Sequence, residues 1–260
     1  MNGVALGLGP FEAQFWHVAF LMTRVGAALV AAPIFGATGV PALVRVVAAG
    51  ALAIFTAVWL PVPPVTVSFT LAGFVAILGE VVIGLALGFV LQLAFAAPLV
   101  AAELIGGGMG LSMAQSAIPD GQGQRSVFGN FLTIALTLIF FGTGGHLIWL
   151  RLVLASYTSF PPGAAWLGAD RYLAIAQFGA TSFSAGLGIA LPITVILLLV
   201  QLATGVLSRS APALNLFALG LPLGVLAGIG GLIVAAPLMF ADLGDVSRLA
   251  LETAGGLIAR

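Results

Sequence analysis

The chain alternates long apolar runs with short polar breaks, and the length of each run predicts what it builds. The first run, about Phe15 to Phe35, is long enough as a helix to cross a ~30 Å hydrocarbon core. A turn over Gly36 to Pro41 leads to Arg45, and the next run, Val46 to Leu60, reaches only ~22 Å as a helix. It stops at Pro61-Val62-Pro63-Pro64, where each proline removes a donor and bars the helical conformation before it. Phe69 to Ala102 is 34 residues with one charge, Glu80. As one helix it would be ~51 Å long, so it must project beyond the core or break in two, with Pro98 a candidate bend. Ser126 to Leu150 is a 25-residue uncharged run, and Arg151 to Arg171 reads as a loop around Pro161-Pro162-Gly163. Tyr172 to Ser208 and Ser210 to Ala241 are uncharged runs of 37 and 32 residues with prolines inside. From Asp242 the chain reads as a short polar tail.

The longest polar interruption is Glu103 to Arg125, ELIGGGMGLSMAQSAIPDGQGQR. It holds Gly106, Gly107, Gly108, Gly110, Gly121 and Gly123, with Met109, Met113 and Gln115 among them. Glycine raises the entropy cost of fixing one conformation, and two methionines make a poor anchor. The stretch therefore reads either as a solvated loop between membrane segments or as a segment that lines or blocks a pathway through a membrane assembly.

Composition sets the class. Hydrophobic residues make up 61% of the chain and charged residues 6%, with a mean hydropathy of +1.23. Soluble domains carry about 25% charged residues, so this is an integral membrane protein. Net charge is zero, which gives no electrostatic case for nucleic acid. With no Cys there is no disulfide, thiolate metal site or cysteine nucleophile. The first 20 residues lack a basic leader and contain Glu12, unlike a cleaved signal peptide. For six alternating segments one side would hold Arg45, Arg125 and Arg209 and the other Arg151, Arg171, Arg248 and Arg260, a balance that assigns no orientation.

The rare polar groups are the candidates for chemistry. Arg24 lies mid-segment, where a charge costs ~2.5–3.5 kcal/mol on insertion scales, so it faces protein or water rather than lipid. Glu80 and Glu103 read as proton-handling groups or as members of structural ion pairs, with Arg24 and Arg45 the candidate partners of Glu80. If Arg24 and Glu80 pair with each other, a charge swap should recover assembly that either single change loses. Asp242 and Asp245 have the spacing of two carboxylates on one helix face, yet no second acidic cluster accompanies them, so a solvated helix end is favoured over a Mg²⁺ site. His17 and His146 lack companions for zinc. No catalytic triad, P-loop or dinucleotide fingerprint is present, so the reading is not an enzyme and needs no cofactor. Gly84 and Gly88, and Gly220, Gly224 and Gly228, recur every four residues and predict close helix packing.

These residues, taken together and in order, resemble one family. Gly186 to Pro222 contains Ala-Leu-Pro, Gly205 and then Ser-Arg-x-x-Pro-x-x-Asn-x-Phe-x-x-Gly-x-Pro, with Arg209 and Asn215 inside it. Arg24 with Ala32-Pro33-Ile34-Phe35-Gly36, Pro41 with Arg45, and Glu80 with Gly84 and Gly88 precede it. Glu103 with the Gly-rich stretch, Gly145-His146-Leu147, and Ser156-Tyr157 through Phe160-Pro161-Pro162-Gly163 continue the pattern. The chain is similar to the FliR family, the flagellar biosynthesis proteins of the type III export gate and their injectisome counterparts. Members often show Asp-Pro at the end of the Gly-rich loop, where this chain has Pro119-Asp120.

The resemblance implies an all-α, membrane-associated fold of long, kinked and broken helices forming helical hairpins, stable within a hetero-oligomeric gate. It covers residues 1–260 as a single domain and places an internal plug-like loop at about 103–125. It further implies a structural, channel-forming subunit of the bacterial inner membrane, in the flagellar basal body. That subunit would assemble with FliP and FliQ, work beside FlhB and FlhA, and pass unfolded rod, hook and filament proteins. Arg24, Arg45, Glu80, Glu103, Arg209 and Asn215 are then buried or assembly charges and polar groups. The alternatives are the corresponding subunit of a virulence injectisome and a secondary transporter with broken helices around a solute site.

Overall fold

A computed structural model of the chain describes residues 9–64, 70–111, 127–163, 166–210 and 216–259. Among the described residues there are seven helices and no strands: α1 Gly9–Ala31, α2 Ala42–Trp59, α3 Leu71–Gly108, α4 Val127–Gly142, α5 Gly145–Ser159, α6 Ala169–Ser210 and α7 Leu216–Ile258. Five of them are long and apolar enough to cross a membrane, or six spans result if α4 and α5 count as one broken span.

The boundaries depart from the hydropathy reading in four places. The long run around Glu80 neither breaks nor stops at Ala102; α3 is one 38-residue helix with Pro98 inside, and it absorbs Glu103 and Gly106 to Gly108. Three glycines at a helix end cost only a few kcal/mol in propensity, less than the packing of α3 returns. The uncharged run Ser126 to Leu150 is two helices bent by 69°. Gly144 makes the break, at φ +74°, a left-handed conformation that glycine adopts without a Cβ penalty. Arg151 to Ser159, expected in a loop, continues α5. The supposed polar tail is helical to Ile258. Its Leu243, Val246, Ala250, Ala254 and Leu257 are buried at helical spacing, with Asp245, Arg248 and Glu252 on the exposed side.

The chain divides into two compact units. The first comprises residues 1–93, 144–179 and 249–260. Here α1 and α2 pack against each other, with Ala49, Ala53 and Thr56 forming the buried stripe of α2. α1 buries Leu21, Arg24, Val25, Ala28 and Leu29, also at helical spacing, and Ala32 just beyond its end is buried too. Against it lies α3, brought close by two glycines. A Cβ at Gly84 would collide with the Arg24 carbonyl oxygen, and one at Gly88 would sit 2.6 Å from the Ala28 carbonyl oxygen and from Ala31 Cβ. One turn along α3 matches one turn along α1, so the two run in the same direction here. α5 runs opposite to both. Trp149 stacks on Phe35 at 5.7 Å and donates its indole N–H to the Leu87 carbonyl at 3.1 Å, while Tyr157 Oη donates to the Leu21 carbonyl at 2.5 Å.

The second unit comprises residues 94–143 and 180–248. Gly186 of α6 lies 2.7 Å, measured from a Cβ built on it, from the Ala97 carbonyl oxygen of α3. Phe95 meets Phe140 edge-on at 6.1 Å, and Phe131 of α4 meets Phe240 of α7 at 6.5 Å.

Candidate functional site

The first unit carries a buried ionic cluster. Arg24 is fully buried and Glu80 is 1% exposed. Arg24 Nε donates to Glu80 Oε2 at 2.8 Å and one terminal nitrogen donates to Oε1 at 3.0 Å, a two-bond fork. The same terminal nitrogen donates to the Phe160 carbonyl at 2.9 Å, and the other donates to Ser156 Oγ at 3.1 Å. The guanidinium carbon lies 4.2 Å above the Tyr157 ring centroid. Glu80 Oε1 also accepts the Gly163 N–H at 3.1 Å. In a medium that cannot solvate ions, a pair this complete is what makes two buried charges tolerable.

Local sequence explains how the cluster is assembled. The Phe160 carbonyl is one of the acceptors left over where α5 ends, and Arg24 satisfies it. Pro161 and Pro162 prevent the helix from continuing, and Gly163, at φ +88°, turns its N–H onto Glu80. Arg171 closes the outside, its guanidinium 4.5 Å over the Phe160 ring and hydrogen-bonded to the Ala259 carbonyl at 3.1 Å.

The second unit carries the root of the polar stretch. Gly108 accepts a hydrogen bond on its carbonyl from Gln201 Nε2 of α6 at 2.8 Å. Met109, 1% exposed, lies against α7: a Cβ at Gly224 would sit 3.4 Å from its carbonyl oxygen, and one at Gly228 would overlap its thioether. Gly110 follows at φ +79°. Gly106 and Gly107 have open space where a Cβ would stand, and so has Gly220.

The structure thus joins several residues singled out from sequence and separates others. Arg24 meets Glu80, Gly84 and Gly88 meet α1, and Met109 meets Gly224 and Gly228. Arg45 is not a partner of Glu80: it donates to the Val40 carbonyl at 2.8 Å. Glu103 and Arg209 are exposed within this chain rather than buried. Met113, Gln115, Gly121, Gly123 and Asn215 lie outside the described residues. Ser156, Tyr157, Phe160 and Gly163 had no assigned role, although their run stood out as a motif; nothing in the sequence ties that run to Arg24.

Asp245 pairs with Arg248 at 3.0 Å on an exposed face, and no group of three or more metal-ligating side chains occurs among the described residues. An apolar cleft of about 380 Å³ between α4 and α7 is lined by residues such as Phe128, Phe131, Ile233 and Phe240. The arrangement holds helices in place and leaves apolar faces outward, including Val46, Val47 and Trp59 of α2 and Ile233 and Val234 of α7.

The family model for bacterial export proteins, family 1, matches residues 15–249. A flagellar biosynthetic protein FliR of Pectobacterium carotovorum subsp. carotovorum is 35% identical over 225 residues, 86% of this chain and 84% of that protein. The FliR of Escherichia coli (strain K12) is 34% identical over 225 residues, with the same two shares, 86% and 84%. The FliR of Bacillus subtilis (strain 168) is 31% identical over 252 residues, 93% of this chain and 95% of that protein. The ionic cluster and the glycine contacts all fall within the matched residues, and the chain belongs to the bacterial export proteins of family 1, the family of the FliR proteins.

Proposed function

We propose that this chain is a structural, channel-forming subunit of the flagellar type III export gate in the bacterial inner membrane. It assembles there with FliP-type and FliQ-type subunits and works beside FlhA-type and FlhB-type components. The observation that carries this reading is the similarity to flagellar FliR proteins along almost the whole chain. Two features of the molecule support it. Helices of 38, 42 and 43 residues exceed the ~30 Å core that about 20 residues span. Their exposed apolar side chains offer contact faces to neighbouring helices and lipid. The flagellar reading is preferred to an injectisome subunit because the three relatives named above are flagellar biosynthetic proteins. The test is co-expression with both gate partners and intact-complex mass spectrometry in detergent. A discrete hetero-oligomer containing this chain is expected; a monodisperse monomer or homodimer that ignores both partners rejects the reading and turns attention to solute transport.

Within that role, residues 103–125 act as the plug of the channel. A pore for unfolded chains must seal against ions yet accept varied sequences, and Gly with adaptable Met suits that better than a rigid charged ring. Deleting residues 106–123 is expected to raise ion leak through the assembled gate, and unchanged conductance in a properly assembled complex rejects the plug.

A further inference from the structure

We infer that the face of the second unit where Glu103 of α3 stands beside α6 is a subunit interface, and that it receives an Arg or Lys side chain from a helix of a neighbouring, different subunit. The inference rests on the gate reading and names the chemistry of one contact in the assembly. It is independent of the plug.

Within this unit α3 and α6 run side by side in the same direction. A Cβ on Gly186 would meet the Ala97 carbonyl oxygen at 2.7 Å, and one on Gly108 would come within 2.9 Å of Leu197 Cδ1, eleven residues further along each helix. Glu103, six residues beyond Ala97, is therefore level with Pro192, six beyond Gly186. Exposed apolar side chains run along α6 on both sides of that level, from Phe183 through Leu187, Leu191 and Leu198 to Leu207. At 1.5 Å per residue the band is ~36 Å long, and Pro192 lies ~13 Å from its nearer end. The exposed carboxylate of Glu103 thus stands inside an apolar band, not at its edge.

Neither lipid nor water suits both groups. Against lipid, an ionised Glu103 would sit in hydrocarbon, and glutamate lacks the long stem with which Lys and Arg reach the interface. Against water, the exposed leucines beside it would be left hydrated. A covering helix removes both costs if it brings a cation, because a charge taken out of water needs a partner. Among the described residues Glu103 has no ion pair or hydrogen bond. The described cations of the unit are committed elsewhere: Arg209 lies seventeen residues, ~25 Å, beyond Pro192 along α6, and Arg248 pairs with Asp245. The adjoining groove, about 320 Å³ in volume, has the same character and is lined by residues including Leu104, Gly108, Thr194, Leu198 and Gln201. Thr194 directs its hydroxyl proton to the Leu191 carbonyl at 3.0 Å, and Gln201 directs its amide nitrogen to the Gly108 carbonyl at 2.8 Å. Apolar surface and a carboxylate are what the face offers outward. An apolar helix with one Arg or Lys matches both.

The experiment co-expresses the full chain with both gate partners and measures recovery of the intact complex for Glu103→Lys and Glu103→Gln. Glu103→Lys is expected to lower recovery at least tenfold and Glu103→Gln severalfold. Melting of either variant chain alone in detergent should match the unmodified chain, since the side chain has no partner within it. A photo-crosslinking amino acid in place of Leu198 then locates the neighbour. The expected adduct is with a helix of a different subunit, within two turns of an Arg or Lys, and reversing that cation to Glu should restore the complex with Glu103→Lys. Four results overturn the interface: normal recovery of the complex with Glu103→Lys, adducts to lipid alone, adducts to a second copy of this chain, or restoration of Glu103→Lys by Arg125→Glu, a position outside the described residues. Normal recovery with Glu103→Lys removes the interface and leaves the gate reading standing. If the unmodified chain forms no hetero-oligomer, the gate reading fails and takes the interface with it.

Discussion

Arg24 and Glu80 lie 56 residues apart in sequence and meet as a two-bond fork, 2.8 and 3.0 Å long, with both side chains out of contact with solvent. The fork joins α1 to α3, and the remaining donors of Arg24 reach the C-terminal turn of α5. One guanidinium thereby sets the mutual position of three helices. The cost of a lone buried charge makes the arrangement all-or-none.

Removing either charge alone leaves the other unpaired in a dry site, a penalty of about 3–5 kcal/mol. Arg24→Met and Glu80→Leu are each expected to abolish recovery of folded chain from membranes. The double variant, with no stranded charge, should be recovered better than either. Thermal stability in detergent checks the order, and a double variant worse than both singles would show that the charges themselves are required.

The charge swap expected from sequence to restore the pair should fail. In Arg24→Glu with Glu80→Arg, position 24 can no longer donate to the Phe160 carbonyl or to Ser156, and position 80 loses the acceptor of the Gly163 N–H. Each buried group left unpaired costs about 1–3 kcal/mol. Export complementation by the swapped chain is expected to stay below one tenth of the unmodified chain. Full recovery would mean that the pair alone matters.

Class and most helix positions were legible because apolar run length and helical spacing report directly on burial. Arg24 and Glu80 were legible as odd charges and as a candidate pair, but contact across 56 residues leaves no local mark that chooses Arg24 over Arg45 as the partner. The cluster's remaining members supply backbone groups, as Phe160 and Gly163 do, and a carbonyl has no residue-type signature. Helix ends were misplaced where packing overrode local preference: Gly106 to Gly108 stayed helical despite low propensity, and the break inside the uncharged run came from Gly144 rather than from a proline.

Glycines that look equivalent in sequence should separate sharply. Gly88→Ala forces a Cβ to 2.6 Å from the Ala28 carbonyl oxygen, so α1 and α3 must move apart and the Arg24–Glu80 fork stretches. A loss of about 1–3 kcal/mol is expected, the usual cost of overpacking. Gly106→Ala meets nothing within 4 Å inside a helix and should instead stabilise that turn, by roughly 0.5–1 kcal/mol. Melting of the two purified variants side by side checks the opposite signs.

The bend between α4 and α5 offers a comparison in which the space is equal and only the backbone differs. Gly142 and Gly144 both have room for a Cβ, but Gly144 alone of the two has a positive φ, +74°. An L-residue there costs about 1–2 kcal/mol. Gly144→Ala must either bear that strain or straighten the 69° break. Straightening would drag Trp149 from Phe35 and from the Leu87 carbonyl, because it starts only five residues on. Gly144→Ala is therefore expected to lower thermal stability and shift the fluorescence of Trp149, with the other tryptophans replaced by Phe, while Gly142→Ala leaves both unchanged. Equal effects of the two substitutions would place the origin of the bend outside Gly144, in the contacts of the helices on either side.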